Sequence, residues 1–210
     1  MNIGILGAGN IGATVARHFA NAGHHVLVSN SRDDSAELEA LAAGIGERAS
    51  AGSARQAVEF GDVVFIAIPW RNRAALHELG SFAGKTVIDA TNPYRADGTI
   101  EDLGPTTTSS QEVLREVPGA NVVKAFNTMY YVTLRDEAKP GGSDDRYVLF
   151  LAGDDPDAKD LVAGLIDEIG FAPVDVGPLA SGRLIQPNTP LYNVPLHEAE
   201  ARAKLAEGTR

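Results

Sequence analysis

The sequence predicts an α/β fold with a doubly wound, mainly parallel sheet and a small C-terminal α/β extension. One observation behind this prediction is a rhythm in the first half of the chain, where short apolar runs alternate with amphipathic stretches. Such alternation is typical of parallel strands joined by right-handed helical crossovers. The other is the start of the chain, where an apolar run leads through a glycine-rich turn directly into a helical stretch.

The elements of the first half follow from the spacing of their apolar residues. Strands are predicted at Asn2–Leu6, His25–Ser29, Asp62–Ile68 and Lys85–Ala90, with a weaker strand near Glu47–Ser50. Helices are predicted between them at Ile11–Ala22, Ser35–Ala43, Ser53–Phe60 and Asn72–Leu79. Gly23 follows the first helix at the position where a glycine commonly ends one.

The rhythm changes after the fifth strand. Asp97–Ser110 is rich in Gly, Pro, Thr and Ser and predicts a loop, and the polar Glu137–Arg146 predicts a mobile loop. The remaining predicted elements are helices at Gln111–Glu116 and Pro156–Ile169, strands at Asn121–Ala125, Tyr147–Ala152 and Ala172–Asp175, and a helical tail at His197–Glu207. No stretch has the composition of a linker between two independent domains.

The composition excludes several classes of function. The formal net charge of −10 would repel nucleic acids and anionic membranes, so we expect neither as a partner. The chain has no cysteine, which excludes disulfides and thiolate catalysis. No apolar run is long enough to span a bilayer. With a first strand that starts at Met1 and leaves no room for a signal peptide, we expect a soluble, cytoplasmic protein.

Residues 7–12 have the sequence G-A-G-N-I-G and carry the main functional signal. They follow a strand and open a helix, which is the context that the dinucleotide-binding G-x-G-x-x-G motif requires. We expect Gly7 to allow the tight turn, Gly9 to let the backbone approach a pyrophosphate, and Gly12 to let helix and strand pack closely. The predicted pyrophosphate site at this helix N-terminus consists of Gly7, Gly9, Asn10, Ile11 and Gly12. The motif therefore predicts a Rossmann-type domain at residues 1–120, followed by residues 121–210, which complete the sheet and the acceptor pocket.

The end of the second strand predicts NADP(H) rather than NAD(H). An NAD enzyme places Asp or Glu there for the ribose hydroxyls, and residues 28–32 contain neither. Arg32 offers a planar set of donors that suits a 2′-phosphate. Neutral hydrogen bonds can come from Ser29, Asn30 and Ser31. The alternative is that Ser31 caps the next helix and Arg32 is a solvated charge beside Asp33 and Asp34.

The nicotinamide of a doubly wound protein lies beyond the carboxyl ends of the strands. The segments predicted there are Ile68-Pro69-Trp70, Thr91-Asn92-Pro93-Tyr94 and Phe126-Asn127-Thr128. Trp70 and Tyr94 could equally be core residues, because aromatic side chains suit both positions. None of the histidines, at positions 18, 24, 25, 77 and 197, falls at such a strand end, so we expect no histidine base and no metal site.

The sequence lacks the groups that a carbonyl reductase needs. No tyrosine has a lysine four positions later, and no other positioned acid is evident. Hydride transfer between two flat redox cofactors requires less, because the rings need only be held face to face. That reaction fits the sequence better.

The chain resembles the family of coenzyme F-420-dependent NADP oxidoreductases over nearly its whole length. The resemblance rests on Ile3–Gly12 (IGILGAGNIG), Ser29–Arg32 (SNSR), Ala67–Trp70 (AIPW), Val122–Thr128 (VVKAFNT) and Gly177–Leu191 (GPLASGRLIQPNTPL). The last two segments are the most specific. Members of this family move a hydride between NADP(H) and an 8-hydroxy-5-deazaflavin.

The resemblance implies roles for further residues. Residues 125–128 would lie under the nicotinamide, with Ala125 in contact with the cofactor and Asn127 and Thr128 at the reacting centre. Cofactor contacts would also come from Ile68, Pro69, Trp70 and Asn92. The deazaflavin pocket would be formed by Met129, Gly177, Leu179 and Arg183, together with Pro69 and Trp70. The side-chain amide of Asn127 can hydrogen-bond the rings but cannot shuttle protons.

Two other functions remain open from the sequence alone. The chain could be an NADPH-dependent reductase of another small acceptor, such as a flavin, quinone or metal chelate. It could also be a non-catalytic NADP(H) sensor that signals through a partner protein. The resemblance suggests a homodimer, and the Ala- and Glu-rich tail at His197–Glu207 could pack on a second subunit, although a solvated helix has the same pattern.

Overall fold

The computed structural model describes residues 1–30, 35–141, 143 and 145–208. The strands are β1 (Asn2–Leu6), β2 (His25–Ser29), β3 (Ala49–Ala51), β4 (Val63–Ile66), β5 (Thr86–Asp89), β6 (Asn121–Ala125), β7 (Val148–Gly153) and β8 (Ala172–Asp175). The α-helices are α1 (Asn10–Asn21), α2 (Ser35–Ile45), α3 (Ala54–Phe60), α4 (Ser109–Glu116), α5 (Tyr131–Asp136), α6 (Pro156–Glu168) and α7 (Glu198–Gly208). Two 3₁₀ helices lie at Trp70–Glu78 and Leu179–Ile185.

The strands form one sheet in the order β3-β2-β1-β4-β5-β6-β7-β8. From β3 to β6 all neighbours are parallel, so the predicted Rossmann-type, doubly wound α/β fold is confirmed. β7 runs antiparallel to β6, and β8 is parallel to β7. The last two strands therefore run against the rest of the sheet, which the sequence did not predict.

Local sequence explains where the helices begin. α4 starts two residues earlier than predicted because Thr108 and Gln111 form a capping box, in which each side chain accepts the backbone N–H of the other residue. The segment predicted as the helix Asn72–Leu79 is a 3₁₀ helix instead. It buries only Trp70 and Leu76, too few apolar positions to form the stripe that stabilises an α-helix against a sheet. α5 was not predicted.

The core lies on both faces of the sheet. On one face, α1 and α6 cover a cluster in which the rings of Phe19, Phe65 and Phe126 meet edge to face. On the other face, α3, α4 and the 3₁₀ helix Trp70–Glu78 cover a smaller cluster. In the part of the chain that is described, no helix is long and apolar enough to cross a membrane.

Helix α3 crosses β1 at a contact that only glycine permits. A Cβ atom at Gly4 would lie 1.9 Å from the carbonyl oxygen of Ala57. The exposed Gly164 of α6 is the opposite case, because a Cβ there would meet nothing within 4 Å. The two glycines form a matched pair, one required by packing and the other not.

We predict that Gly4→Ala lowers the free energy of unfolding by at least about 1–3 kcal/mol, because α3 must move away from the sheet. Gly164→Ala should raise it by about 0.5–1 kcal/mol, since alanine is the better helix former. Urea denaturation measures both. Equal effects of the two substitutions would contradict the close crossing of α3 over β1.

Candidate functional site

A cleft runs along the sheet edge at which β1, β2, β4, β5 and β6 end. It contains four connected cavities of about 320, 230, 270 and 240 Å³, here called the first to fourth cavities. Ile68 and Arg71 line both the first and the second cavity. Ile11 and Asn92 line both the second and the third, and Asn10 lines the third and the fourth. Because neighbouring cavities share lining residues, they lie side by side along this edge of the sheet from β2 to β6.

The turn between β1 and α1 is built from glycines that have no room for a side chain. Gly7 has a φ of 102°, and a Cβ there would lie 2.5 Å from the carbonyl oxygen of Ala67. A Cβ on Gly12 would lie 1.8 Å from the carbonyl oxygen of Gly7. The predicted tight turn at Gly7 and close packing at Gly12 are confirmed, and the close contact at Gly12 is with the turn itself.

The N-terminus of α1 opens into the cleft. Gly9 is its N-cap and offers no side-chain acceptor to the first-turn N–H groups. A Cβ on Gly9 would meet nothing within 4 Å, so the space in front of these donors is open. The first turn has no acidic residue, and both Gly9 and Asn10 line the fourth cavity. Free N–H groups and the helix dipole make this a site for an anion.

Ser29 and Asn30, at the end of β2, line the first cavity. The Ser29 hydroxyl is buried and donates to the carbonyl of Ile5 at 2.8 Å, so it can accept but not donate another hydrogen bond. Ser31 and Arg32, predicted to bind the 2′-phosphate, lie outside the described residues, as do Asp33 and Asp34.

The wall of the first cavity is mostly apolar, which the sequence did not reveal. Its apolar lining comes mainly from the 3₁₀ helix Trp70–Glu78 and from the start of α3, with Ala54, Ala74, Ala75, Leu76 and Leu79. Arg71 and Asn72 lie at its rim. A slot of this character next to β2 suits a flat, largely apolar group such as a purine ring.

The second cavity lies between the ends of β4 and β5. Ile68, Pro69 and Asn92, which the sequence analysis assigns to the cofactor, line this cavity. Trp70 also borders it, but the ring is only 2% exposed and its indole N–H donates to Glu101 at 2.6 Å. Trp70 is therefore mainly a core residue, and a stacking face toward a ligand is not available.

The third cavity contains a row of hydrogen-bonded polar groups. The Asn127 Nδ2 donates to the carbonyl of Ile185 at 2.6 Å and to Asn92 Oδ1 at 3.1 Å. Asn92 Nδ2 in turn donates to the Asn127 carbonyl at 3.0 Å and to the Tyr192 hydroxyl at 3.3 Å. Because a carbonyl can only accept, the orientation of both amides is fixed. Met129 lines the same cavity, as predicted.

The protonation state of Tyr192 and two buried oxygens without a partner affect the chemistry of this row. Burial raises the pKa of Tyr192, and the hydrogen bond with Tyr94 adds to the effect, so this phenol stays neutral at physiological pH. Thr91 Oγ1 and Asn127 Oδ1 are buried and lack a hydrogen-bond partner among the described residues. An unpaired buried oxygen costs roughly 1–3 kcal/mol, which a donor brought close by a small adjustment of the wall would recover.

Strained backbone aims Asn127 at the cleft. Phe126 has a φ of 65°, in the left-handed region that bulky residues rarely adopt. Its ring is fully buried and packs edge to face on Phe65 and Phe19, with centroids 5.2 and 6.2 Å away. The aromatic core thus holds the backbone in a conformation that costs roughly 1–3 kcal/mol. The chain turns there, so that Asn127 lines the cavity directly after β6.

Two predicted residues next to Asn127 do not line the cleft. Ala125 is fully buried in the core, because its position in β6 places its side chain in the cluster around Phe126. Thr128 is 4% exposed, and its backbone carbonyl accepts the N–H of Asn193 at 2.8 Å. The predictions of direct cofactor contact for Ala125 and of a reacting role for Thr128 are therefore corrected. Both residues are buried beside Asn127 and help to hold its position.

The predicted pocket residues Gly177, Leu179 and Arg183 do not reach the four cavities either. Because β7 and β8 run against the other strands, the chain leaves β8 away from the cleft edge. Leu179 is buried, and the Arg183 guanidinium donates to the Ala180 carbonyl at 3.1 Å. Their 3₁₀ helix contributes to the site only where it ends, through the Ile185 carbonyl. Tyr192 and Asn193 line the third cavity instead.

Below the second and third cavities lies a buried ion pair between β5 and β6. Lys124 Nζ lies 3.2 Å from Asp89 Oδ2 and donates to Ser109 Oγ at 3.1 Å and to the Thr91 carbonyl. Asp89 also accepts the Thr91 N–H at 2.9 Å and the Ser110 hydroxyl. Burial lowers the pKa of Lys124, and the carboxylate opposes this. The pair fixes Thr91, which lies two residues after the end of β5 and directly before Asn92.

Two histidines of the described part of the chain have partners other than a metal ion. Among the described residues, no group of three or more His, Cys, Asp or Glu side chains could hold a metal ion. His18 donates to the carbonyl of Leu134 at 2.8 Å and packs on Phe171, and His24 pairs with Glu168. These two histidines are packing residues, as predicted.

Comparisons with known proteins agree with this geometry. Residues 2–93 match the family model "NADP oxidoreductase coenzyme F-420-dependent". Protein SMa0349 of Sinorhizobium meliloti is 35% identical, with a TM-score of 0.83 over 94% of this chain and 95% of that one. A proposed F-420-dependent NADP-reductase from Arthrobacter sp. FB24 is 25% identical, with a TM-score of 0.74 over 94% of this chain and 100% of that one.

Two metalloreductases are also similar to this chain, over part of their own length. Metalloreductase STEAP3 of Rattus norvegicus is 29% identical over 185 residues, which cover 88% of this chain and 35% of the relative. Metalloreductase STEAP2 of Homo sapiens is 24% identical over 91% of this chain and 36% of the relative. The chain thus spans about a third of the length of these curated relatives.

We predict that Lys124→Met lowers the free energy of unfolding by about 3–5 kcal/mol, because it leaves the Asp89 carboxylate buried without a counter-charge. The double variant Asp89→Asn with Lys124→Met should lose much less, since no buried charge remains. Urea denaturation of the two variants measures the difference. A double variant as unstable as the single one would show that the ion pair itself, rather than an uncompensated charge, determines stability here.

Proposed function

We propose that the chain transfers a hydride between NADP(H) and F-420, in line with the match of residues 2–93 to the family model of coenzyme F-420-dependent NADP oxidoreductases. The observation that carries the proposal is the row of neighbouring cavities along the sheet edge. It joins an apolar slot, an anion site at a helix N-terminus and a polar third cavity. These are the three surfaces that a dinucleotide requires, in the order in which a Rossmann-type sheet presents them.

NADP(H) fits the residues that are present. The open space at Gly9 leaves room for a pyrophosphate against the first turn of α1. The apolar first cavity would take the adenine, and Arg32 would hold the 2′-phosphate. The positively charged side chain of Arg32 attracts a phosphate. NAD enzymes place a carboxylate at this strand end instead, and a carboxylate would repel the 2′-phosphate.

The other half of the cofactor would lie between the second and third cavities. Ile11 borders both and offers an apolar surface to the nicotinamide, and Asn92 and Asn127 offer fixed amides at its edge. NADPH supplies the hydride. The protein residues orient the ring and exclude water, and the neutral phenol of Tyr192 can donate a hydrogen bond to the acceptor.

The acceptor would lie in the third cavity, which Met129 and three tyrosines line. Tyr130 is 54% exposed and stands 4.8 Å from Tyr131 between ring centroids, so aromatic surface is available at the cavity mouth. Such surfaces suit a flat deazaflavin. The similarity to metalloreductases favours a metal chelate as the second candidate acceptor, and a flavin is a further candidate with the same flat shape as a deazaflavin.

Mixing the protein with NADPH and oxidised F-420 separates these acceptors. The proposal expects the deazaflavin absorbance to disappear at enzymatic rates, with stoichiometric loss of NADPH. Turnover of free flavin or ferric chelate without any change in F-420 would replace the deazaflavin by the second candidate. Tight NADPH binding without turnover of any acceptor would point to a sensor.

We predict that Gly9→Val weakens NADPH and NADH binding at least about 100-fold, because the added side chain occupies the open space in front of the α1 amides. Thermal unfolding should change little, since a Cβ there touches nothing. Isothermal titration calorimetry measures the affinities. Unchanged affinity in a folded variant would place the pyrophosphate elsewhere.

Arg32→Ala should weaken NADPH binding about 10- to 100-fold and leave NADH binding unchanged, since only NADPH carries the extra phosphate. The matched control is Arg48→Ala, which removes an arginine whose guanidinium donates to the Gly23 carbonyl. The measurement is the dissociation constant of each variant for NADPH and for NADH. Equal losses for NADPH and NADH would reject a phosphate contact.

A further inference from the structure

Two arginines that line the cleft differ from the other arginines that the structure describes. Every other arginine that the structure describes donates a side-chain hydrogen bond to a carboxylate or a backbone carbonyl. Arg71 and Arg95 make neither a side-chain hydrogen bond nor an ion pair with any described residue. Both are exposed, and both line the second cavity. In the part of the chain that is described, the arginines without a side-chain hydrogen bond or ion pair are thus the two that line the second cavity, and Arg71 also lines the first.

The charge of the residues that line the second cavity differs from that of the chain as a whole. The chain has a formal net charge of −10, yet no acidic side chain is among the described residues that line the second cavity. Glu101, at the end of the adjoining hairpin, accepts a hydrogen bond from the Trp70 indole N–H and lies 3.6 Å from Arg73. Asp97 has a lowered pKa mainly because Thr99 donates to it, with a smaller contribution from Arg95. The second cavity is therefore a local positive site on an acidic protein.

One hydrogen bond links the two chain segments that contain Arg71 and Arg95. Arg95 lies in a hairpin closed by the bridge between Tyr94 and Ile100, and its backbone N–H donates to the Thr99 carbonyl at 2.7 Å. Arg71 follows Trp70, whose buried ring is bonded to Glu101 at the end of that hairpin. The bond between Trp70 and Glu101 thus links both segments. This arrangement fixes the backbone positions from which the two side chains reach the second cavity.

We propose that Arg71 and Arg95 bind an anionic group, a phosphate or carboxylate, on the hydride acceptor. This inference rests on the proposed function, in which the α1 amides and Arg32 already serve the phosphates of NADP(H). Arg95 lines only the second of the four cavities, and Ile11 and Asn92 connect that cavity to the third, where the acceptor ring would lie. The acceptor class is therefore a flat redox ring with a negatively charged side chain.

Two ligand pairs test the anionic group, because each pair shares a ring and differs in charge. FMN and riboflavin differ by one phosphate, and F-420 can be compared with its chromophore on a neutral ribityl chain. Fluorescence quenching on NADP⁺-loaded protein gives the binding constants without requiring turnover. The wild type should prefer the anionic member of at least one pair by about tenfold.

The variants are Arg95→Gln, Arg71→Gln and their combination. Each should weaken the anionic ligand about five- to tenfold and leave the neutral ligand unchanged. Arg95→Gln should also leave NADP⁺ affinity unchanged, because Arg95 does not line the first cavity, where the adenine would lie. Arg202→Gln is the control, since it makes the same charge change on α7, where Arg202 pairs with Glu198 at 2.7 Å.

Three outcomes overturn the inference. The first is the absence of a preference for the anionic member in either pair. The second is an equal loss for both members, which indicates damage to the ring site. The third is a loss of NADP⁺ affinity with an unchanged ligand preference, which assigns the arginines to the phosphates of the nucleotide. If the wild type binds NADP⁺, any of these three outcomes rejects only the anion site and leaves the proposed function standing. If the wild type binds no NADP⁺, both the anion site and the proposed function are rejected.

Discussion

The nucleotide side of the cleft depends on one steric constraint, the absence of room for a Cβ atom in the turn between β1 and α1. Gly7 lies against the Ala67 carbonyl and Gly12 against the Gly7 carbonyl. These contacts draw the start of α1 against the ends of β1 and β4, so that its first N–H groups face the cleft. A side chain at either position would push the helix outward and close the space in front of Gly9. The anion site is therefore a consequence of packing as much as of hydrogen bonding.

The opposite half of the cleft is ordered by different means. A strained backbone at Phe126, held by the aromatic core, turns the chain at the end of β6. The carbonyl of Ile185 then fixes the Asn127 amide, which fixes Asn92 and, through it, Tyr192. Beneath this row, the buried Lys124–Asp89 pair holds the end of β5. The polar groups of the site are thus oriented before any ligand binds, which is what transfer between two rings requires.

The sequence predicted the parts of the site that are local in the chain. The strand, glycine turn and helix of residues 2–21 could be predicted because their conformation is set by neighbours within the motif. The direction of β7 could not, because the connection after β6 returns to the same edge of the sheet and no residue pattern reports that return. For the same reason Gly177, Leu179 and Arg183 were placed in a pocket that the structure forms from Tyr192 and Asn193. The apolar first cavity and the unpaired arginines arise from segments far apart in sequence, so only the fold reveals them.

Calorimetric titration of the unmodified protein with NADPH tests the central claim most directly, because it asks whether the glycine turn, the apolar slot and the end of β2 act as one site. We expect a single saturable transition with one nucleotide per chain and tighter binding than for NADH. No heat with NADPH at millimolar concentration would contradict the account and leave only the α/β architecture.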